Sequence, residues 1–271
     1  MAEEGHGSTI NLDWDDSDVL PAVLSPDTEF VFRRMTEETL KAAGPPAPKR
    51  VLDVGCGRAI DAAALARDGG VLFGCEPSRV MLRKAREGLQ NSGAKVSLVS
   101  SLAEKLPFAS GTFHRVVCKG AIDHFVNPEQ AVAEMSRVTS PDGRVVISVA
   151  NFESLSCFLA RAADRLIRRV RGRGIPPPRI WEIPRDHTHK FDHAAILTTA
   201  GRHLRIVSVR GVSLFWGFPR WSRVLERTPK AVASVLLGCL DRIARRRPEW
   251  SDVLIVVGSP LPFVPEMERS V

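Results

Sequence analysis

Val51-Leu52-Asp53-Val54-Gly55-Cys56-Gly57-Arg58-Ala59 is an apolar run that ends in an acid and a glycine-rich turn. A buried strand feeding a helix through such a turn is where open α/β sheets bind nucleotides. Gly55 and Gly57 allow positive φ and let a ligand come close to the backbone. Two phosphate-binding patterns do not fit. A dinucleotide fingerprint needs Gly or Ala at its sixth position, where Ile60 stands, and no Lys-Ser/Thr pair follows to make a P-loop. A second acid, Glu76, closes the next apolar run, 23 residues after Asp53. A carboxylate there can accept two hydrogen bonds from a ribose diol. The competing reading of Glu76 is a charge that favours a helix N-terminus.

Outward from this stretch, apolar runs and amphipathic segments alternate. Strands are predicted over 50–54, 71–75, 95–99, 114–118 and 144–150, the last entered through the Pro141-Asp142-Gly143 turn. Helices are predicted over 59–68, 78–89 and 129–138. Further strand-like runs lie at 205–211 and 252–258. This alternation predicts a doubly wound α/β fold, a parallel sheet with helices on both faces. Ser25-Pro26-Asp27 opens an earlier helix, with Ser as cap and Pro in the first turn, and Gly44-Pro45-Pro46 closes it. The chain divides into an acidic segment and lid helix (1–47), a cofactor-binding core (48–150), a basic helical insert with a late helix (151–202), and final strands carrying a second helical insert (203–271, insert 212–250), all within one catalytic domain.

The 271 residues are 44% hydrophobic and 25% charged, which excludes a disordered or collagen-like chain and suffices for a large core without staples. Five Cys with no CxxC pair argue against a zinc ribbon or a disulfide framework and for a reducing compartment. The absence of Tyr removes that residue as a catalytic acid or base. The acidic, polar start MAEEGHGSTINLDWDDSD is not expected to act as a secretory signal, and no apolar run reaches the length of a membrane span. A cytoplasmic protein, at most peripheral to a membrane, is expected. The net charge of +7 is uneven: 151–185 and 212–250 carry +5 each, so the remainder is net acidic.

VLDVGCGRA, GCEPSRVML, AEKLPFASGTFHRVV and EMSRVTSPDGRVVIS together resemble the motifs of class I S-adenosylmethionine-dependent methyltransferases of the group that modifies small molecules and lipids. The resemblance covers about residues 48–150 well and the remainder loosely. It implies a Rossmann-like methyltransferase sheet, mostly parallel with a late antiparallel strand, and S-adenosyl-L-methionine as cofactor. By position, Asp53 and the Gly55-Cys56-Gly57 turn would hold the methionine and ribose part, and Glu76 the ribose hydroxyls. Pro77 and Ser78 would line the adenine edge, Ser101 or a backbone group would substitute for the acid missing at Leu102, and Lys119 would also face the cofactor. Three positions depart from the family pattern: Ala59 stands for a third glycine, Leu102 for an acid that contacts adenine, and His114 for an acid in the fourth strand.

An oxygen acceptor needs a base, and His124, just beyond the fourth strand, lies where such sheets bind ligands; a structural histidine that holds its loop is the other reading. His187 and His189, in Asp186-His187-Thr188-His189-Lys190-Phe191-Asp192-His193, are further candidates for acceptor contact or base catalysis. A loop packed near the acceptor pocket, or a metal held by His187, His189 and His193, are alternatives for this run; no metal is expected. Lys119-Gly120-Ala121-Ile122 stands where base-modifying relatives carry an Asn/Asp-Pro-Pro-aromatic element, and a Pro-Cys nucleophile is also absent, which argues against nucleic acid. The expected acceptor is small or lipid-like, methylated on oxygen or carbon; an RNA methyltransferase and a non-catalytic scaffold of the same fold are alternatives. The two basic inserts pair an apolar helix face with Arg, linked in the first by Pro176-Pro177-Pro178, and the second helix is expected to open at Thr228-Pro229. They are expected to cap the substrate, to contact a membrane surface or to form an oligomer interface; extra core with a solvated Arg face is the other reading of the second insert.

Overall fold

Seven strands form one sheet: β1 (Arg50–Val54), β2 (Val71–Cys75), β3 (Val96–Val99), β4 (Phe113–Lys119), β5 (Thr139–Ala150), β6 (Leu204–Val212) and β7 (Val253–Pro260). Their order in this computed structural model is β3-β2-β1-β4-β5-β7-β6. The structure describes residues 12–16, 24–44, 49–67, 69–175, 179–184 and 187–261. Pairs among β1 to β5 are parallel, and β7 runs antiparallel to both its neighbours, as the resemblance implies.

Successive side chains of a strand point to opposite faces, so each central strand feeds two cores. Leu52, Val116, Val145, Ile147, Leu254 and Val256 meet α4 (Pro128–Val138) and α6 (His193–Gly201) through Ala131, Met135, Ile196 and Ala200. Val51, Val117, Val146, Val253 and Ile255 meet α1 (Pro26–Ala43) and α2 (Ile60–Arg67) through Val31, Met35 and Leu65. Helix α3 (Arg79–Ser92) packs Ala85 and Leu89 against Cys56, Ala59 and Ala62. The inserts contribute α5 (Leu155–Arg171), α7 (Trp221–Arg227) and α8 (Lys230–Arg246). Among the described residues, no helix is long and apolar enough to cross a membrane.

Several local expectations need correction. β5 starts at Thr139, because the chain re-pairs there with Phe113 before an irregularity in the ladder. Ser25 does not cap α1 with its side chain; its hydroxyl donates to the Thr28 hydroxyl instead, 2.8 Å away. Thr228 closes α7 by donating to Val224 O, 2.8 Å away, and leaves Pro229 at the cap position of α8. His114, at the outer end of β4, accepts from Arg50 N through Nδ1. Most of the acidic leader, Pro45-Pro46 and Pro176-Pro177-Pro178 lie outside the described residues.

Candidate active site

β1, β2 and β4 end on the same edge of the sheet, and there a cavity of about 1010 Å³ opens. Its floor is the glycine turn. Gly55 N and Cys56 N both donate to Cys75 O at 2.9 and 3.0 Å, which folds the turn over the end of β2. Gly55 has φ +68°, and a Cβ on it would sit 2.6 Å from the Ala121 Cβ, so this position admits only glycine. Gly57 has φ +50°, and Ala59, at the third glycine position of the family pattern, keeps the left-handed conformation with φ +55°.

Glu76 leaves β2 buried at 6% exposure. Its carboxylate accepts from Gly57 N at 3.1 Å and from Ser78 N at 2.9 Å. Burial pushes its pKa up, and the two backbone amides pull against that rise. Asp53 is buried at the end of β1. Burial, and then the neighbouring Asp61 carboxylate, push its pKa up to about 8, with Lys119 opposing. Lys119 Nζ pairs with Asp61 at 2.7 Å and donates to the Thr36 hydroxyl at 2.7 Å. It lines the cavity as expected but spends its charge on the protein. A recess that a Cβ would fill, beside two buried carboxylates, fits a ligand that brings both a diol and a positive charge.

Residues 12–16 cross the mouth beside Glu76. Leu12 O accepts from Arg79 N at 2.9 Å, and Trp14 O accepts from the Ser78 hydroxyl at 2.6 Å. Asp16 receives Arg58 at 2.6 and 2.8 Å and Lys84 at 2.9 Å. Burial opposes its ionisation, yet these cations hold its pKa down to about 2. Trp14 and Asp16 line the cavity together with Phe32, Arg33, Met35 and Thr36 of α1.

The far end of the cavity is built after β4. Asp123 and His124 lie on a short 3-10 turn, Ile122–His124. The His187 ring stands 4.4 Å from the His124 ring, and its Nε2 is 3.4 Å from Asp123 Oδ2. Thr188 N and His189 N both donate to Asp123 O at 2.9 and 3.0 Å, which fixes the 187–189 loop against this turn.

Asp53, Gly55, Cys56, Gly57, Glu76, Pro77, Ser101, Leu102, Lys119 and His124 all line the cavity. His187 stands behind His124. His189 is not part of the lining: Thr188 is, and His189 turns to the neighbouring loop, its Nε2 3.2 Å from Val126 O. Nor do His187, His189 and His193 form a ligand set. Among the described residues the grouping with metal-capable donors is Asp123, His124 and His187, within 4.8 Å of one another. Asp186 lies outside the described residues. No described residue of 151–185 or 212–250 lines the cavity, so the expectation that these inserts cap the substrate is not met; α1, the 12–16 segment and the loop after β4 occupy that place. The sequence reading missed Asp61, Thr36 and the 12–16 clamp. An acid in the first turn after the glycines and the dense Asp13-Trp14-Asp15-Asp16 run were the available signals.

Residues 52–147 match the family described as methyltransferase domain. This stretch of the chain thus carries a methyltransferase domain. In particular, the chain is 36% identical over 131 residues to a ubiquinone biosynthesis O-methyltransferase of Thiobacillus denitrificans, covering 48% of this chain and 56% of that protein. It is 34% identical over 131 residues to the methyltransferase GfsG of Streptomyces halstedii, covering 47% of each. The chain spans about half the length of the curated relatives it matches. Among solved structures it is similar in fold to the PH0226 protein of Pyrococcus horikoshii (TM-score 0.58, 18% identity, 92% of this chain and 100% of that one). It is also similar to a SAM-dependent methyltransferase of Aquifex aeolicus (TM-score 0.53, 16% identity, 83% and 89%).

Proposed function

We propose that this chain transfers a methyl group from S-adenosylmethionine to a hydroxyl of a small, lipid-like acceptor. The observation that carries this reading is the single cavity, with the Gly55–Gly57 turn, Asp53 and Glu76 at one end and His124, backed by Asp123 and His187, at the other. When bound, the cofactor supplies an electrophilic methyl on a sulfonium, so the protein's task is alignment and proton handling. Glu76 holds the ribose hydroxyls, Asp53 balances the cofactor's positive charge, and Pro77, Ser101 and Leu102 line the adenine end. His124 takes the acceptor proton at an imidazole nitrogen, with Asp123 and His187 fixing its surroundings. Phe32, Met35, Phe125 and Val126 give the remaining wall an apolar surface that suits a lipid-like acceptor. The names of the curated relatives support oxygen as the methylated atom. All five cysteines are free, which supports work in the reducing cytoplasm.

The test is formation of S-adenosylhomocysteine from S-adenosylmethionine with catechol and with alkyl catechols of increasing chain length. Turnover with KM falling as the chain lengthens is expected. Cofactor binding without turnover on any of these would contradict the reading and leave a non-catalytic binding protein of the same fold.

A further inference from the structure

Helix α5 buries Ser156, Cys157, Ala160 and Asp164 and turns Phe158, Ala162, Leu166 and Val170 outward, one residue every four. Leu166 is 63% and Val170 75% exposed. Helix α8 buries Ala233, Leu237, Asp241 and Ala244 and exposes Val232, Val235, Leu236, Cys239 and Ile243. Each helix thus packs small or apolar residues and one acid inward and carries a separate apolar row on its outer face, a pattern that water alone does not favour.

The placement of charge is as uneven. Each helix has a single acid, and both acids point inward: Asp164 holds Arg168 at 2.7 Å, and Asp241 holds Arg34 of α1 at 3.1 Å. The outer faces therefore carry cations alone, Arg165, Arg169 and Arg171 on α5 and Lys230, Arg242 and Arg246 on α8. Both helices adjoin the turn Pro248–Trp250. There the half-exposed Trp250 ring lies under the Arg247 guanidinium at 5.6 Å. Neither helix lines the cavity, so closing over the substrate would not cover these rows.

We infer that the outer faces of α5 and α8 dock on an anionic lipid bilayer. Apolar rows flanked by Arg and Lys, with a Trp beside them, suit the headgroup boundary: the side chains enter the acyl edge and the cations meet lipid phosphates. A second copy of the chain fits less well, because a two-fold contact sets the same surface against itself and would bring like charges together. Nucleic acid would answer the cations but leave the Leu and Val rows in water. The inference is independent of the methyl-transfer reading.

Flotation with phosphatidylglycerol-containing vesicles and with pure phosphatidylcholine vesicles, at low and high salt, tests it on the full chain. The wild type should float with the anionic vesicles, less so as salt rises, and not with the neutral ones. L166E with V170E, and separately V235E with L236E, should each lower flotation about tenfold or more. All four positions are exposed, and unchanged cofactor titration with native circular dichroism checks that the variants fold. No flotation of the wild type, or flotation undiminished in both double variants, overturns the inference. A concentration-dependent dimer in sedimentation that the same variants abolish, or binding to RNA in place of vesicles, would overturn it as well and reassign the faces.

Discussion

Between Asp53 and His124 the chain buries charge; between Ser154 and Arg246 it exposes apolar surface. In the first region the buried carboxylates Glu76, Asp61 and Asp123 are answered by specific partners: Glu76 by two backbone amides, Asp61 by Lys119, Asp123 by His187. In the second, the acids of α5 and α8 form internal pairs, and the outer faces of these two helices keep aliphatic rows with Arg. Buried charge costs solvation, and a cavity that keeps it is shaped for one polar ligand. Exposed apolar rows make no such demand for geometry and suit an extended, fluid partner. One chain thus holds a site specified atom by atom and a surface specified by pattern.

The contrast can be broken first at His124. H124A should lower turnover by about 10²–10⁴ if the imidazole is the general base, with cofactor affinity nearly unchanged. Loss of cofactor affinity in step with turnover would instead make His124 structural and move the cavity's chemistry elsewhere.

A smaller effect, in pH, tests whether Asp53 is buried for a cation. With its pKa raised to about 8, Asp53 keeps its proton at neutral pH in the ligand-free protein. A positively charged cofactor favours the carboxylate, so affinity should rise by up to about tenfold per pH unit towards pH 8, with proton release, and then level off. The sign for folding is opposite. The stability that protonated Asp53 contributes is present below the ordinary carboxyl pKa and is lost as pH rises through about 8. Calorimetric titrations in buffers of different ionisation enthalpy measure the first trend and urea midpoints the second; D53N should flatten both.

The smallest expected effect sharpens the turn itself. Ala59 pays for its left-handed φ of +55°. A59G should stabilise the protein by about 1 kcal/mol, the relief of strain exceeding the extra chain entropy of glycine. No shift in the urea midpoint would mean that packing of the Ala59 methyl against Cys56 and Ala85 offsets the strain.

What could be read from sequence follows the same division. β1, its turn and Glu76 were legible because each signal is local: an apolar run, two glycines, an acid at the next strand end. The cavity's other half depends on contacts far apart in sequence. Lys119 reads as a cofactor contact until Asp61 and Thr36 arrive beside it. Thr188, rather than His189, lines the cavity, its hydroxyl donating to Asp123 O, 65 residues earlier, and no spacing within the loop reveals that contact. The inserts announced their amphipathic helices and their charge. Position on a helix does not say whether an apolar row faces a cavity or solvent, and there the expected cap gave way to an exposed surface.

The central claim is that the Gly55–Glu76 end of the cavity is built for S-adenosylmethionine, and calorimetric titration of the cofactor into wild type and E76A tests it most directly. Removing a buried, charge-assisted acceptor costs about 1.5–3 kcal/mol. Saturable one-to-one binding to the wild type, weakened roughly ten- to a hundred-fold in a folded E76A, is the expected result. Equal affinity in the two proteins, or no binding to the wild type, would contradict the account.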